Sequence, residues 1–262
     1  MKKLLFLAMA LLTLAVSCKK EKNGDPEASI YEPEAIDLGT GVKWASFNLG
    51  ATAPYEYGDY YAWGEKEPYY SSLKPLSWKL DMAEGYSWKI YKFCTGADSH
   101  KLTKYCSVDS YWDSTLKPDG PDGNENLLPE DDAAACDKRL SGKWRMPKLS
   151  DFQALMALEG KPDYEFDRFV KYADGVKDSE GREIYGLRIR QISTGNTLFL
   201  PAAGYCNGTT TGEDATSMGC YWSTQLNDGK PDCACIFTFG DAYGTWPLEE
   251  RRAGDSIRPV CD

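Results

Sequence analysis

The sequence predicts an α+β domain, and three observations predict it. Two segments carry helix-type capping or charge patterns, Asp131–Leu140 and the run after Pro147. Many others are short runs of β-branched and aromatic residues bounded by Gly, Pro, Asn or Asp, the signature of strands and turns. Between the first strands and the helices lies a long irregular stretch, residues 66–128, rich in Tyr, Ser, Pro, Asp and Gly. Few helices, many strands and no internal repeat make an α+β pattern rather than an alternating α/β one.

The chain begins MKKLLFLAMALLTLAVSCKK. Lys2 and Lys3 precede an apolar run of 13 residues, Leu4–Val16, too short and wrongly flanked for a spanning helix. Ala15, Val16 and Ser17 lead into Cys18, the small-residue-then-cysteine pattern of a bacterial lipobox. Cleavage before Cys18 and lipidation on it are expected, with more than one acyl chain giving stable anchoring. The polar KKEKNGDPEAS that follows reads as a flexible tether. The expected organisation is a signal peptide over 1–17, a lipidated tether over 18–34 and one folded domain over 35–262. The expected location is the outer membrane, attached by lipid.

Within the domain, EAIDLGTGVKWASFNLGA supplies two extended runs around Gly39-Thr40-Gly41, and YGDYYAWGE, Tyr57–Glu65, is aromatic and strand-like. DDAAACDKRL, Asp131–Leu140, reads as a helix with acids in its first turn and cations at its end, as the helix dipole favours. In GKWRMPKLSDFQALMAL, Ser150 is placed to cap a helix while Gln153 reaches back to it. Phe152, Leu155 and Met156 then form one buried face. The remainder reads as strands: YEFDRFVKY, IYGLRIRQI, TLFLPAAG, CYWSTQ, ACIFTFG, AYGTWPL and SIRPVC.

Composition narrows the function classes. Loss of residues 1–17 takes two of the 30 basic residues and none of the 40 acidic ones, leaving a net charge of −12. Nucleic acid is excluded as a partner, because its binding depends on Lys and Arg contacts to phosphate. The 17 Tyr and 8 Trp exceed what a core alone needs, and both types are enriched at binding surfaces. Most are still expected as half-buried strand residues. Cys18 apart, eight cysteines remain, at 94, 106, 136, 206, 220, 233, 235 and 261. An even count in an exported chain points to disulfides. On a strand, Cys233 and Cys235 face the same way at a spacing too long to bond each other. Cys220 or Cys206 is the expected partner for one of them, and Cys94 with Cys106 is a second pairing. Paired Cys/His spacing for zinc and the CxxC of a redox pair are both missing.

These segments also carry a resemblance. DLGTGVKWASFNLGATAPYEYGDYYAWGE, then LTKYC, then EDDAAACDKRLSGKWRMPKLSDFQALM, then LFLPAAGY, CYWST and SIRPVC resemble the Fibrobacter succinogenes major paralogous domain, a family common in gut Bacteroidetes. The resemblance spans residues 35–262. It implies a C-type-lectin-like fold: mixed, mostly antiparallel sheets, paired N- and C-terminal strands, two flanking helices and long irregular loops that form a binding face. The family's cysteine before its Asn-x-Gly-Ala element is Phe47 here, which puts in doubt a disulfide from that strand to Cys261.

The fold does not settle function. The favoured reading is a lipid-anchored envelope or cell-surface binding module that takes a glycan or a protein on its C-terminal loop face. Its contact residues are read as Trp222, Gln225, Asp228, Asp232, Tyr243, Trp246, Arg251 and Arg252, since aromatics and Arg dominate binding hot spots. Some relatives of this fold have that region rewritten by diversity-generating retroelements. Calcium is the one cofactor considered. Asp119, Asp122, Asn124 and Asn126, with Glu125, form a dense set of hard oxygen ligands in KPDGPDGNENLLPEDD, against which stands the plain reading of a solvated acidic loop. The alternatives are a cysteine-dependent enzyme related to formylglycine-generating oxidases, or a structural envelope protein. The sole histidine, His100, sits in DSHKLTK as a solvated loop residue, which leaves a histidine-based catalytic triad little support.

Overall fold

The computed structural model of the chain describes residues 32–71, 85–227, 229–240 and 247–262. Cys18 and the lipobox, and the loop residues Asp228, Tyr243 and Trp246, lie outside them. Among the described residues no helix is long and apolar enough to cross a membrane. In chain order the regular elements are β1 (Ala35–Asp37), β2 (Lys43–Ala45), β3 (Asp59–Tyr60), β4 (Tyr70–Ser71), α1 (Ala133–Cys136), α2 (Leu149–Met156), β5 (Tyr164–Lys171), β6 (Tyr185–Gln191), β7 (Thr197–Pro201), β8 (Tyr205–Asn207), β9 (Thr210–Glu213), β10 (Met218–Leu226), β11 (Cys233–Gly240), β12 (Leu248–Glu250) and β13 (Val260–Cys261).

β1 and β2 form the expected hairpin, closed by Asp37 Oδ1, which accepts the Gly39 N–H at 2.8 Å. β13 pairs antiparallel with the other side of β2, so the first and last strands of the domain lie together. Beside this seam Asn48 Oδ1 accepts Arg258 Nε at 2.8 Å, while the same guanidinium donates to Ala45 O at 3.0 Å and Phe199 O at 2.9 Å. Arg258 is fully buried, and burial lowers its pKa to about 10. Gly50, at φ +82°, packs so close to the next turn that a Cβ there would stand 2.1 Å from Asp59 Cγ. No side chain fits at that position.

β5-β6-β7 and β10-β11-β12 are three-stranded sheets, and every strand pair is antiparallel. Among the described residues the architecture is a mostly antiparallel α+β fold with two α-helices. The aromatic run at 57–65 contributes only β3 to a sheet. The rest of it is buried without a ladder.

Both helices differ from their sequence readings at the ends. The first is four residues long, preceded by a 3₁₀ turn at Pro129–Asp131. Asp132 caps it, accepting from Ala134 N and Ala135 N. It stops at Cys136 because Asp137 turns its carboxylate onto Arg139 N at 2.8 Å and onto the Arg139 guanidinium, a local alternative to the helical bond. The second begins at Leu149, before Ser150. Asp151 rather than Gln153 closes its first turn, accepting Lys148 N at 2.8 Å while paired with Arg145 at 2.9 Å. Phe152 and Leu155 are buried and Met156 is partly so, as the spacing predicts.

All eight cysteines in the described chain are free thiols. The pairings read from the sequence are not formed, and each thiol has another environment. Cys94 and Cys106 pack with Leu102 and Trp112. Cys206 lies in the largest apolar cluster, and Cys235 Sγ rests 3.8 Å from Leu226 O. Cys233 and Cys235 do sit two apart on one strand, as expected.

Candidate ligand-binding cleft

β10 carries side strands of irregular chain at its C-terminal end. Leu127 N donates to Thr224 O at 2.9 Å, Leu226 N to Glu125 O at 3.0 Å, and Thr224 N to Pro147 O at 3.0 Å. The segments around 126 and 147 therefore flank Thr224, and a cleft of about 680 Å³ opens between them. Asp132 fixes both walls. One oxygen caps α1, and the other accepts Met146 N at 2.9 Å. Burial pushes the Asp132 pKa up, against the pull of those backbone donors.

The lining is mixed. Leu127, Pro129, Ala135, Trp144 and Met146 give apolar surface, while Asn126, Thr224, Lys143, Arg145, Lys148 and Asp262 give polar groups. Arg145 is spent on Asp151 at 2.9 Å and Asp262 at 3.2 Å. Burial opposes its charge, and these carboxylates offset that and raise its pKa. Lys143 pairs with Glu32 at 2.7 Å, and the same carboxylate accepts Trp144 Nε1 at 2.9 Å. Lys148 is exposed and holds no ion pair among the described residues. The volume lies in the range of small-ligand sites, about 300–1,000 Å³.

Of the contact residues read from the sequence, Gln225 is exposed and bridged to Asn126 at the edge of this cleft. Trp222 and Arg251 are elsewhere, fully buried. The Trp222 indole donates to Tyr61 O at 2.7 Å. Arg251 donates to Tyr105 O at 2.7 Å and lies over the Trp63 and Tyr91 rings at 5.5 and 5.4 Å. Both side chains tether backbone in the interior, so neither presents a surface to a ligand. Arg252 is partly exposed and committed to Tyr86 O at 2.8 Å, Asn207 Oδ1 at 2.7 Å and Glu250 at 2.6 Å. Asp232 is buried, and its Oδ1 has no hydrogen-bond partner among the described residues.

The acidic loop is held by internal bonds of Asp122. Asp122 gives both oxygens to backbone donors, Tyr105 N at 2.8 Å, Cys106 N at 2.9 Å and Asn124 N at 3.1 Å. It folds the loop onto Cys106. Among the described residues no group of three or more His, Cys, Asp or Glu is placed to hold a metal. Asn126 belongs to the cleft instead.

Burial disfavours the thiolate at Cys206, Cys220 and Cys233. Burial, then the neighbouring Asp232, pushes Cys233 up to about 11. Burial also raises Cys206 and Cys220 well above the ordinary thiol value. A reactive cysteine needs the opposite shift, toward thiolate.

Sequence reading missed Lys143, Arg145 and Lys148. Their signal was three cations within GKWRMPK in an otherwise acidic chain. Comparison with family models, with curated proteins and with solved structures finds no match to this chain.

Proposed function

We propose that this chain is a lipid-anchored outer-membrane binding module of C-type-lectin-like build, allied to the Fibrobacter succinogenes major paralogous domains, and that it holds a glycan in the cleft beside Thr224. The pairing of β2 with β13, and the Asn48–Arg258 bond between two of the resembling segments, support the kinship. The cleft lining carries the ligand reading. Apolar walls alternate with an amide, a hydroxyl and an unpaired ammonium. A glycan offers C–H faces to the first and hydroxyls, which both donate and accept, to the second. The protonated thiols favour binding over cysteine chemistry.

The test is a thermal-shift screen of the purified chain against host and microbial oligosaccharides. A ligand at 100 times its Kd adds about 2.7 kcal/mol. The shift is expected with chelator as well as with calcium, and it should shrink in Lys148→Ala and Asn126→Ala, both exposed side chains that leave the unliganded Tm in place. No shift from any oligosaccharide, or one indifferent to both variants, removes the glycan reading. Capture of a protein that is lost in the same variants assigns the cleft to a protein partner.

A further inference from the structure

A second, smaller pocket lies away from the cleft, between the turn at 52–57 and the tip of the β5–β6 hairpin. Its volume is about 290 Å³. Both walls are locked by internal bonds. Glu56 Oε2 accepts Thr52 N at 2.6 Å, Thr52 Oγ1 at 2.9 Å and Ala53 N at 3.2 Å. Asp178 holds the hairpin tip through Glu180 N at 3.0 Å, Arg182 N at 2.8 Å and Arg182 Nε at 2.7 Å. The Tyr57 hydroxyl then donates to Asp178 Oδ2 at 3.3 Å and ties one wall to the other. Burial, then the Asp178 charge, raises the Tyr57 pKa, so it stays a donor.

What these bonds leave over is specific. Tyr55, Glu56, Lys177 and Ser179 line the pocket, and Glu56 Oε1, Lys177 Nζ, Ser179 Oγ and the Tyr55 hydroxyl hold no hydrogen bond or ion pair among the described residues. The half-buried Tyr55 ring, packed on Tyr172 at 5.2 Å, gives an aromatic plate. One group accepts only, one donates only and two do both. An apolar ligand would satisfy none of the four. A simple anion would meet Glu56 and Asp178, and a simple cation would meet Lys177 and Arg182 close by.

We propose that this pocket is a binding site for a single pyranose unit, a neutral saccharide ring lying on Tyr55 with its hydroxyls shared among Glu56, Lys177 and Ser179. The volume sits at the low end for ligand sites, which suits one ring and not a chain. The site stands apart from the cleft and does not depend on what the cleft binds.

The experiment is saturation-transfer NMR on the full chain with the methyl glycosides of glucose, galactose and N-acetylglucosamine, with free tyrosine and glycine as zwitterionic probes. At least one glycoside should receive saturation. Lys177→Ala and Ser179→Ala remove exposed side chains and leave the hairpin bonds in place. Lys177→Ala should weaken binding about tenfold, as for loss of one charge-assisted hydrogen bond. Tyr55→Phe keeps the plate and should cost less. Lys148→Ala, in the cleft, reports on the cleft alone and separates the two sites. The proposal is overturned if no glycoside receives saturation, if transfer is unchanged in the Lys177 and Ser179 variants, or if only the amino acids bind.

Discussion

The domain has two large apolar clusters, and they are built on different chemistry. One lies under the regular sheets and α2. It is made of Leu, Val, Ile and Phe with Trp44 and a single fully buried phenol, Tyr221. The other lies under the irregular chain and gathers Tyr57, Tyr60, Tyr61, Trp63, Tyr69, Tyr86, Tyr91, Tyr105 and Trp222. Tyr57, Tyr61 and Tyr105 turn their hydroxyls to the carboxylates of Asp178, Asp59 and Asp131, and Tyr69 to Glu65, while the other polar tips are bonded to backbone. Tyr60 donates to Ala203 O at 2.6 Å, Tyr86 to Tyr60 O at 2.6 Å, Tyr91 to Trp63 O at 2.8 Å and Trp63 to Ser223 O at 2.8 Å. Buried carbonyls must be satisfied. Under the sheets the ladders do this. Where the chain has few ladders, aromatic tips do it, and their rings supply the apolar contact as well.

That contrast predicts how each half breaks. The largest effect belongs to the aliphatic cluster. Leu198 on β7 is fully buried among Phe and Leu side chains. Leu198→Ala is expected to cost about 2–5 kcal/mol, transfer energy plus cavity. Because the cluster underlies most of the regular sheet, urea unfolding should shift as one transition and hydrogen exchange should rise across all sheets together. Loosening confined to β7 would show that the two halves are not cooperative.

The next effect tests the polar half at its weakest point. Asp255 is fully buried beside the Tyr61 backbone, and neither carboxyl oxygen has a hydrogen-bond partner among the described residues. Burial, then Glu249, raises its pKa well above the ordinary value, which favours the neutral form in the fold. The unfolded chain ionises above about pH 4. The native state then binds more protons than the unfolded one, and stability is lost as pH rises, by about 1.4 kcal/mol per pH unit for one proton. Asp255→Asn is neutral at every pH. It should match the parent near pH 4 and exceed it increasingly toward pH 7, read as urea midpoints at several pH values. A variant that is less stable at pH 7 than at pH 4, relative to the parent, would mean that the carboxylate is ionised and has a partner in solution.

The same contrast explains what was legible in the sequence. Local signals carried the aliphatic half: Gly39-Thr40-Gly41 for the first hairpin, β-branched and aromatic runs for β5, β6 and β11, and the i, i+3, i+4 face of α2. The α2 cap was misread because Asp151 is chosen by Arg145, a partner that only the folded chain brings to it. In the aromatic half the determining bonds join distant segments, such as Trp222 to Tyr61 across 161 positions. Nothing local marks a Trp or Arg that tethers a carbonyl from one that meets a ligand, and so Trp222 and Arg251 were read as contacts. Gln225 lies exposed, bridged to Asn126. The saccharide pocket was illegible for the same reason, since Tyr57 and Asp178 are 121 positions apart.

The smallest effect is the most discriminating. Tyr60→Phe keeps the ring and its packing and removes only the donor to Ala203 O. The expected cost is about 1 kcal/mol, the value of one buried hydrogen bond. If aromatic tips hold the irregular chain as ladders hold sheets, that loss is local. Amide exchange should rise about fivefold at Tyr61 and Trp63, whose N–H groups bond Asp255 O and Arg251 O, with the sheet amides of β6 and β10 unchanged. An equal rise in both places would make the tyrosine hydroxyl one contributor to a single cooperative core. Its ring alone would then explain why the irregular half is aromatic, and the tips would be there to avoid a buried orphan rather than to hold the backbone.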